Sequence, residues 1–278
     1  MRMVIKFAGA LLDRPLDGLA RQVATLARQG HEVLVVHGGG RIFTATLARL
    51  GIESKFIDGL RITDRATRDV ALMVFGGLLN KQLAAAISAA GQPAVGVSAG
   101  DAGCFQAKPL TKPAGLEFVG ELTGANVEFF KSLWKARLVP VAACLGLGPQ
   151  QEIYNINADQ MAAAAAQYLR VERLIYLTDV AGVLDGDSVI ETVDCGNIEP
   201  LVAAGTVSGG MVLKLEACRR ALNAGVRDVR IVGGEIPNSL LHAVAGRAAG
   251  TRVTATRGRQ RDARAAGRLA RLDPARAF

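Results

Sequence analysis

The chain has 278 residues, half of them apolar and 21% charged, which is enough to bury a sizeable core and excludes wholesale disorder. The formal net charge is +8, but eight arginines against two aspartates between Arg252 and Phe278 carry +6 of it, so the body is nearly neutral and the basicity belongs to a tail. That tail has no aromatic residue before Phe278, so no nucleic-acid partner is expected, although an acidic partner stays open.

Val4-Ile5-Lys6-Phe7 reads as a first strand ending at Gly9; Lys6 interrupts the apolar stretch, which argues against a signal peptide. Residues 16–29 carry Leu16, Leu19, Val23 and Leu26 on one helical face, and Gly30 stops the helix. Residues 32–37 form a nearly continuous apolar strand that runs into Gly38-Gly39-Gly40, followed by a helix through Leu50. This β–α–β rhythm predicts a parallel sheet covered on both faces. Further on, helices are expected over 66–90 and 126–136, with strands over 94–97 and 138–142. A hairpin-like region fills 103–123, and an Ala-rich helix begins near Ala158. Strands follow over 174–178, 228–232 and 251–254, and helices around 197–204, 209–224 and 237–247. The chain divides into a first lobe, 1–173, a second, 174–253, and the Arg-rich tail, 254–278.

No apolar run reaches about 18 residues without a charge or a string of glycines, so no membrane span is expected. Cys104, Cys144, Cys195 and Cys218 lack metal-finger or redox spacing, as expected of reduced thiols in a cytoplasmic protein.

Glycine turns after strands let backbone N–H groups approach an anion, and helix N-termini add a favourable dipole. Such turns occur at Gly9, at Gly38-Gly39-Gly40, at Asp179-Val180-Ala181-Gly182 and at Ser208-Gly209-Gly210. Neither a Walker A motif nor a G-x-G-x-x-G fingerprint is present, so charge neutralisation for a phosphate must come from elsewhere. Lys6 lies inside a strand, where a lysine is costly unless its head reaches a cleft. Lys214 reads either as a site cation or as a solvent-facing helix lysine, and Asp159 either as a site carboxylate or as a helix N-cap. Gly96-Val97-Ser98-Ala99-Gly100 matches the nucleophile elbow of α/β hydrolases. Asp101-Ala102-Gly103 follows it with turn chemistry rather than a helix, and His242 is the sole downstream histidine, which weighs against that reading.

Seven segments in order resemble the amino-acid kinase family, in the branch that phosphorylates N-acetyl-L-glutamate. They are Ile5 through Asp13, Val35-Val36-His37-Gly38-Gly39-Gly40, Asp58-Gly59-Leu60-Arg61-Ile62-Thr63, Asn80-Lys81, Tyr154-Asn155-Ile156-Asn157-Ala158-Asp159-Gln160, Leu177 through Asp185 and Gly209-Gly210-Met211-Val212-Leu213-Lys214. The resemblance implies a three-layer αβα sandwich around a mostly parallel sheet of about eight strands, and a homodimer. It implies ATP-dependent conversion of the side-chain carboxylate to an acyl phosphate in arginine biosynthesis, with Mg2+ held mainly by the phosphates. Lys6 and Lys214 would neutralise the phosphoryl group and Asp159 would hold both lysines. Backbone at Gly9, Gly39 and Gly40 would bind the γ-phosphate or substrate carboxylate, and Arg61 and Asn155 would grip the amino acid. Asp179, Val180, Ala181, Gly182, Val183 and Leu184, with Thr206, Val207 and Ser208, would line the nucleotide pocket. Two related readings are a kinase acting on a carrier-bound amino acid, which the basic tail would suit, and a non-catalytic amino-acid or nucleotide sensor. The chain departs from the family's usual Gly-Gly at Ala8-Gly9 and from its usual Ser-Gly-Lys-Asp at Ser98-Ala99-Gly100-Asp101.

Overall fold

The computed structural model describes residues 1–256, so the tail expectation lies almost wholly outside the described residues. Eight strands build one sheet: β1 (Arg2–Phe7), β2 (Glu32–His37), β3 (Ala94–Val97), β4 (Val139–Ala143), β5 (Arg173–Thr178), β6 (Thr192–Asp194), β7 (Asp228–Gly233) and β8 (Thr251–Thr254). Their order across the sheet is β6-β8-β7-β5-β1-β2-β4-β3. Every pair is parallel except β7 with β8. The helices are α1 (Asp17–Arg28), α2 (Gly40–Arg49), α3 (Arg65–Ala89), α4 (Val127–Lys135), α5 (Ala158–Tyr168), α6 (Ile198–Ala203), α7 (Gly210–Asn223) and α8 (Ser239–Val244).

In β1 and β2 every residue after the first is buried. Side chains alternate between faces, so helices must cover both, and nearly the whole interior forms one apolar cluster. From β1 the chain leaves through α1 to β2 on one side; from β5 it leaves to β6, at the edge of the sheet, on the other. The neighbours β1 and β5 thus bracket a topological switch point, whose crevice opens at their carboxyl ends.

The expected strands and helices form, with differences at short elements. The edge strand β6 was not anticipated, nor were Leu145–Leu147 and Ile153–Asn155, which join Phe105–Pro109 and Gly120–Ala125 of the expected hairpin region in a separate four-stranded sheet. Three residues carry no readable alternation. The last helix shrinks to Ser239–Val244, and β8 runs one residue past the expected lobe end at 253. A two-stranded hairpin pairs Phe56–Ile57 with Leu60–Arg61 around Asp58-Gly59, both at positive φ, the Asp-Gly pattern of a tight hairpin turn. The helix α3 is long and apolar enough to cross a membrane by composition, contrary to the run-length expectation, but half of its apolar window is buried inside the protein. It widens to π geometry over Leu72–Leu79.

Candidate active site

The loops leaving β1 and β2 meet backbone to backbone at the mouth of the crevice. A Cβ on Gly9 would lie 2.5 Å from the Cα of Gly40, so no side chain fits there. A Cβ on Gly39 would lie 1.9 Å from the ring of Phe75, which the π segment of α3 delivers to this point. Ala8 has φ −66° and ψ 145°, ordinary extended backbone, so alanine stands in for the family's glycine without strain. The helices α2 and α7 both start at glycine-capped N-termini, with no side-chain cap and no acid in the first turn. Their leading N–H groups have no intrahelical partner, an arrangement that suits an anion.

Lys6 projects from the buried strand β1, and Lys214 from the first turns of α7. Asp159 enters between them from the start of α5. The Lys6 Nζ lies 2.6 Å from Asp159 Oδ1, and the Lys214 Nζ donates to Asp159 Oδ2 at 2.8 Å. All three residues are buried. The helix cap is Asn157, whose Oδ1 accepts from the backbone N–H groups of Asp159 and Gln160. The capping alternative for Asp159 is thereby replaced, and its carboxylate is left for the lysines. The solvent-facing alternative for Lys214 likewise fails. Burial alone would raise the Asp159 carboxyl, but the two ammonium groups outweigh it and hold it down at about 2. Burial lowers Lys6, and the facing Asp159 opposes that shift. One carboxylate between two ammonium groups leaves one net positive charge at the crevice mouth.

Lys6, Gly9, Gly39, Gly40, Arg61 and Asn155 share one cavity of about 250 Å³. A larger cavity of about 620 Å³ lies between α1 and the segment after β7, but it gathers no comparable set of buried charges. The Arg61 guanidinium is sandwiched between the rings of Phe43 and Phe56, at 4.8 and 4.6 Å. It donates to Thr44 Oγ1 at 2.7 Å and to Ser54 Oγ. A planar cation so clamped is aimed before any carboxylate arrives. The Asn155 Nδ2 donates to Thr63 Oγ1 at 3.0 Å, tying the segment that follows the Phe56–Arg61 hairpin to the four-stranded sheet. Gly59, at φ +76°, sits against Leu213, the neighbour of Lys214, so the hairpin carrying Arg61 rests on the helix carrying Lys214.

Beneath the glycine loop, His37 is fully buried. Its Nδ1 lies 3.0 Å from the Gly38 carbonyl, and its Nε2 lies 3.1 Å from Asn80 Nδ2. A carbonyl can only accept, so Nδ1 carries the proton and Nε2 accepts from the amide. Burial lowers the ring to about 4 from 6.5, with the Gly38 bond as a smaller opposing effect. Between pH 6.5 and 4 the unfolded chain takes up a proton that the folded ring refuses, so stability falls as pH falls through that window. The loss is about 2 kcal/mol by pH 5. Denaturant midpoints at pH 7 and 5 should show this loss in the wild type and a shallower one in His37→Asn; equal slopes would refute the assignment.

The expected nucleotide residues lie outside this cavity. Asp179 is exposed just beyond β5, where its Oδ1 accepts from the Thr178 hydroxyl at 3.1 Å; Val180, Ala181 and Leu184 are half-buried. Gly182 and Val183 turn inward against β8, with the Val183 N–H donating to Thr251 Oγ1 at 2.8 Å. Thr206 is half-buried, Val207 buried and Ser208 exposed, on the approach to α7. The structure therefore gathers the residues expected for the amino acid with one lysine in one cavity and sets those expected for the nucleotide along the adjoining ends of β5 and α7. Ser98 closes a turn on itself, its backbone N–H donating to Asp101 Oδ2 at 2.6 Å, and no helix follows as an elbow requires. Sequence reading missed Phe43, Phe56, Thr44, Ser54 and Tyr176. The aromatic residues pass for ordinary core or surface in sequence, and nothing but their convergence on Arg61 and Lys214 sets them apart.

Paired lysines on a carboxylate, beside glycine-capped helices at the switch point of a parallel sheet, define a phosphotransferase class of site. Residues 1–233 match the model of the amino acid kinase family, and the chain belongs to that family. The acetylglutamate kinase of Koribacter versatilis is 53% identical over 237 residues, covering 84% of this chain and 90% of that protein. That of Acidobacterium capsulatum is 45% identical over 245 residues, covering 86% and 94%. Among solved structures, the N-acetylglutamate synthase from Neisseria gonorrhoeae, complexed with coenzyme A and N-acetyl-glutamate, superposes with a TM-score of 0.80 at 24% identity. It is matched over 91% of this chain and 59% of that one, and shows the shared fold.

Proposed function

We infer that this chain is an enzyme that transfers the γ-phosphoryl group of ATP to the side-chain carboxylate of N-acetyl-L-glutamate, a step of arginine biosynthesis. The observation that carries this reading is Asp159 bridging Lys6 and Lys214, buried beside the cavity that holds Arg61. The nucleophile is a carboxylate, already ionised at neutral pH, so the reaction needs no general base. Its barrier is the approach of one anion to another, followed by charge spreading over the transferring group. Lys6 and Lys214 lower both parts of it, and the N–H groups near Gly9, Gly39 and Gly40 supply uncharged donors. Asp159 keeps the two ammonium groups aimed. Among the described residues no cluster of three or more His, Cys, Asp or Glu would cage a metal, and both Asp159 oxygens already face lysines. Mg2+ would therefore ride on the nucleotide phosphates and water.

Residues 1–173 would bind the amino acid and residues 174–253 the nucleotide, through Asp179 to Leu184 and Thr206 to Ser208. A homodimer through α3 is supported by its exposed Leu72, Met73 and Leu78, large apolar side chains clustered on one helix. The buried free thiols of Cys104, Cys144, Cys195 and Cys218 suit a cytoplasmic enzyme.

Arg61→Lys is expected to raise the KM for acetylglutamate about tenfold with kcat little changed, because a point charge loses the planar fork and the ring stacking. A kcat loss with unchanged KM would remove Arg61 from substrate binding. The functional reading itself is tested by hydroxylamine trapping of acyl phosphate with MgATP. Hydroxamate should form with N-acetyl-L-glutamate and not with L-glutamate, N-succinyl-L-glutamate or L-aspartate. No hydroxamate with any free amino acid would overturn the reading and favour a carrier-bound substrate or a sensor.

A further inference from the structure

Tyr176 stands in β5 directly beside Lys6 in β1, in a parallel register that puts both side chains on one face of the sheet. It is fully buried. Its hydroxyl donates to the backbone carbonyl of Asp159 at 3.1 Å, and its ring lies under the Lys214 Nζ, 5.3 Å from the centroid. One side chain thus touches two members of the Lys6–Asp159–Lys214 group and flanks the third. We propose that Tyr176 is a positioning residue for phosphoryl transfer, anchoring the first turn of α5 through its hydroxyl and supporting Lys214 on its ring face. The proposal rests on the kinase reading above.

The physical need is specific. Lys214 must face Asp159 and the transferring group together, and its flexible stem gives the ammonium room to retreat fully onto the carboxylate. An aromatic face attracts an ammonium most strongly where water is excluded, so the ring restrains Nζ from beneath without competing for its donors. Asp159, in turn, can aim both oxygens at lysines only if its backbone stays fixed. Asn157 holds the N–H side of that turn, and Tyr176 holds the C=O side. Burial pushes the phenol well above its ordinary range, so it stays a donor throughout the working pH range. Leucine at this position would fill part of the space and supply neither function.

Two variants separate the parts. Tyr176→Phe keeps the ring and the packing and removes the hydroxyl; kcat should fall about fivefold. Tyr176→Leu removes both, and kcat should fall about fiftyfold. In both, KM for MgATP and for acetylglutamate should stay within about twofold of wild type, since the fully buried ring offers neither substrate any surface. The order wild type, Phe, Leu in kcat at constant KM supports the proposal, and any other order, or KM rising in step with the loss, overturns it. Tyr176→Phe preserves volume, so the test stands even if Tyr176→Leu fails to fold. Wild-type turnover in the same assay checks the kinase reading separately. If wild type is inactive, the Lys214 ε-methylene proton shifts in the unliganded protein decide. An upfield ring-current shift retained in Tyr176→Phe supports the placement, and its absence in wild type overturns it.

Discussion

Replacing Lys6 or Lys214 by alanine is expected to lower kcat about a hundred- to a thousandfold, while KM for acetylglutamate changes little. Each lysine is buried and paired to Asp159 at 2.6 or 2.8 Å, so neither belongs to a solvated surface whose loss would be absorbed by water. On the proposed reading Arg61, held against the rings of Phe43 and Phe56, binds the amino acid, so substrate binding and transfer should be separable. Removing one aimed charge donor costs roughly 3 kcal/mol of transition-state stabilisation, the scale of a lost oxyanion-hole donor. Steady-state kinetics by the hydroxamate assay check it. Either single variant retaining more than about a third of wild-type kcat would mean that the lysines serve the fold rather than the transfer.

Asp159→Ala should destabilise the protein by about 3–5 kcal/mol at pH 7, more than most single substitutions. It leaves two buried ammonium groups facing one another without a counter-charge. Wild-type Asp159, lowered to about 2 against an ordinary 3.8, contributes its stabilisation above about pH 4 and loses it as pH falls toward 2. The variant should show the same sign of dependence in a different, alkaline window. With the carboxylate gone, burial and the facing Lys214 ammonium both act on Lys6 unopposed by Asp159, so its folded-state pKa drops further below its unfolded value. The unfolded chain then binds more protons, so the variant's stability should rise between pH 7 and 9. Urea unfolding at those two pH values measures both effects. A loss below about 1 kcal/mol, of the size seen for exposed pairs, would show that the lysines are compensated by something other than Asp159.

The parallel α/β architecture was legible before any coordinates because its signals are local. Residues 32–37 are apolar on both faces and end in three glycines, and residues 16–29 keep a single helical stripe. Lys6 stood out because a lysine inside such a strand needs a destination. The strands Leu145–Leu147 and Ile153–Asn155 were not legible, since elements this short are stabilised by their neighbours rather than by their own pattern. The π turns of α3 were equally hidden, yet they deliver Phe75 to Gly39.

The sequence by itself determined the family, the alternation of the longer strands and helices along the chain, and which residues carry charge where a folded core can least tolerate it. Whether Asp159 caps its helix or pairs with lysines was decided by the tertiary structure, because two sequence-distant ammonium groups, on β1 and α7, had to converge on it. The clamp on Arg61 and the tyrosine beneath Lys214 were decided there too. Packing between distant segments has no sequence period, and a side chain's chemistry depends on neighbours that only the folded chain brings within a few ångströms.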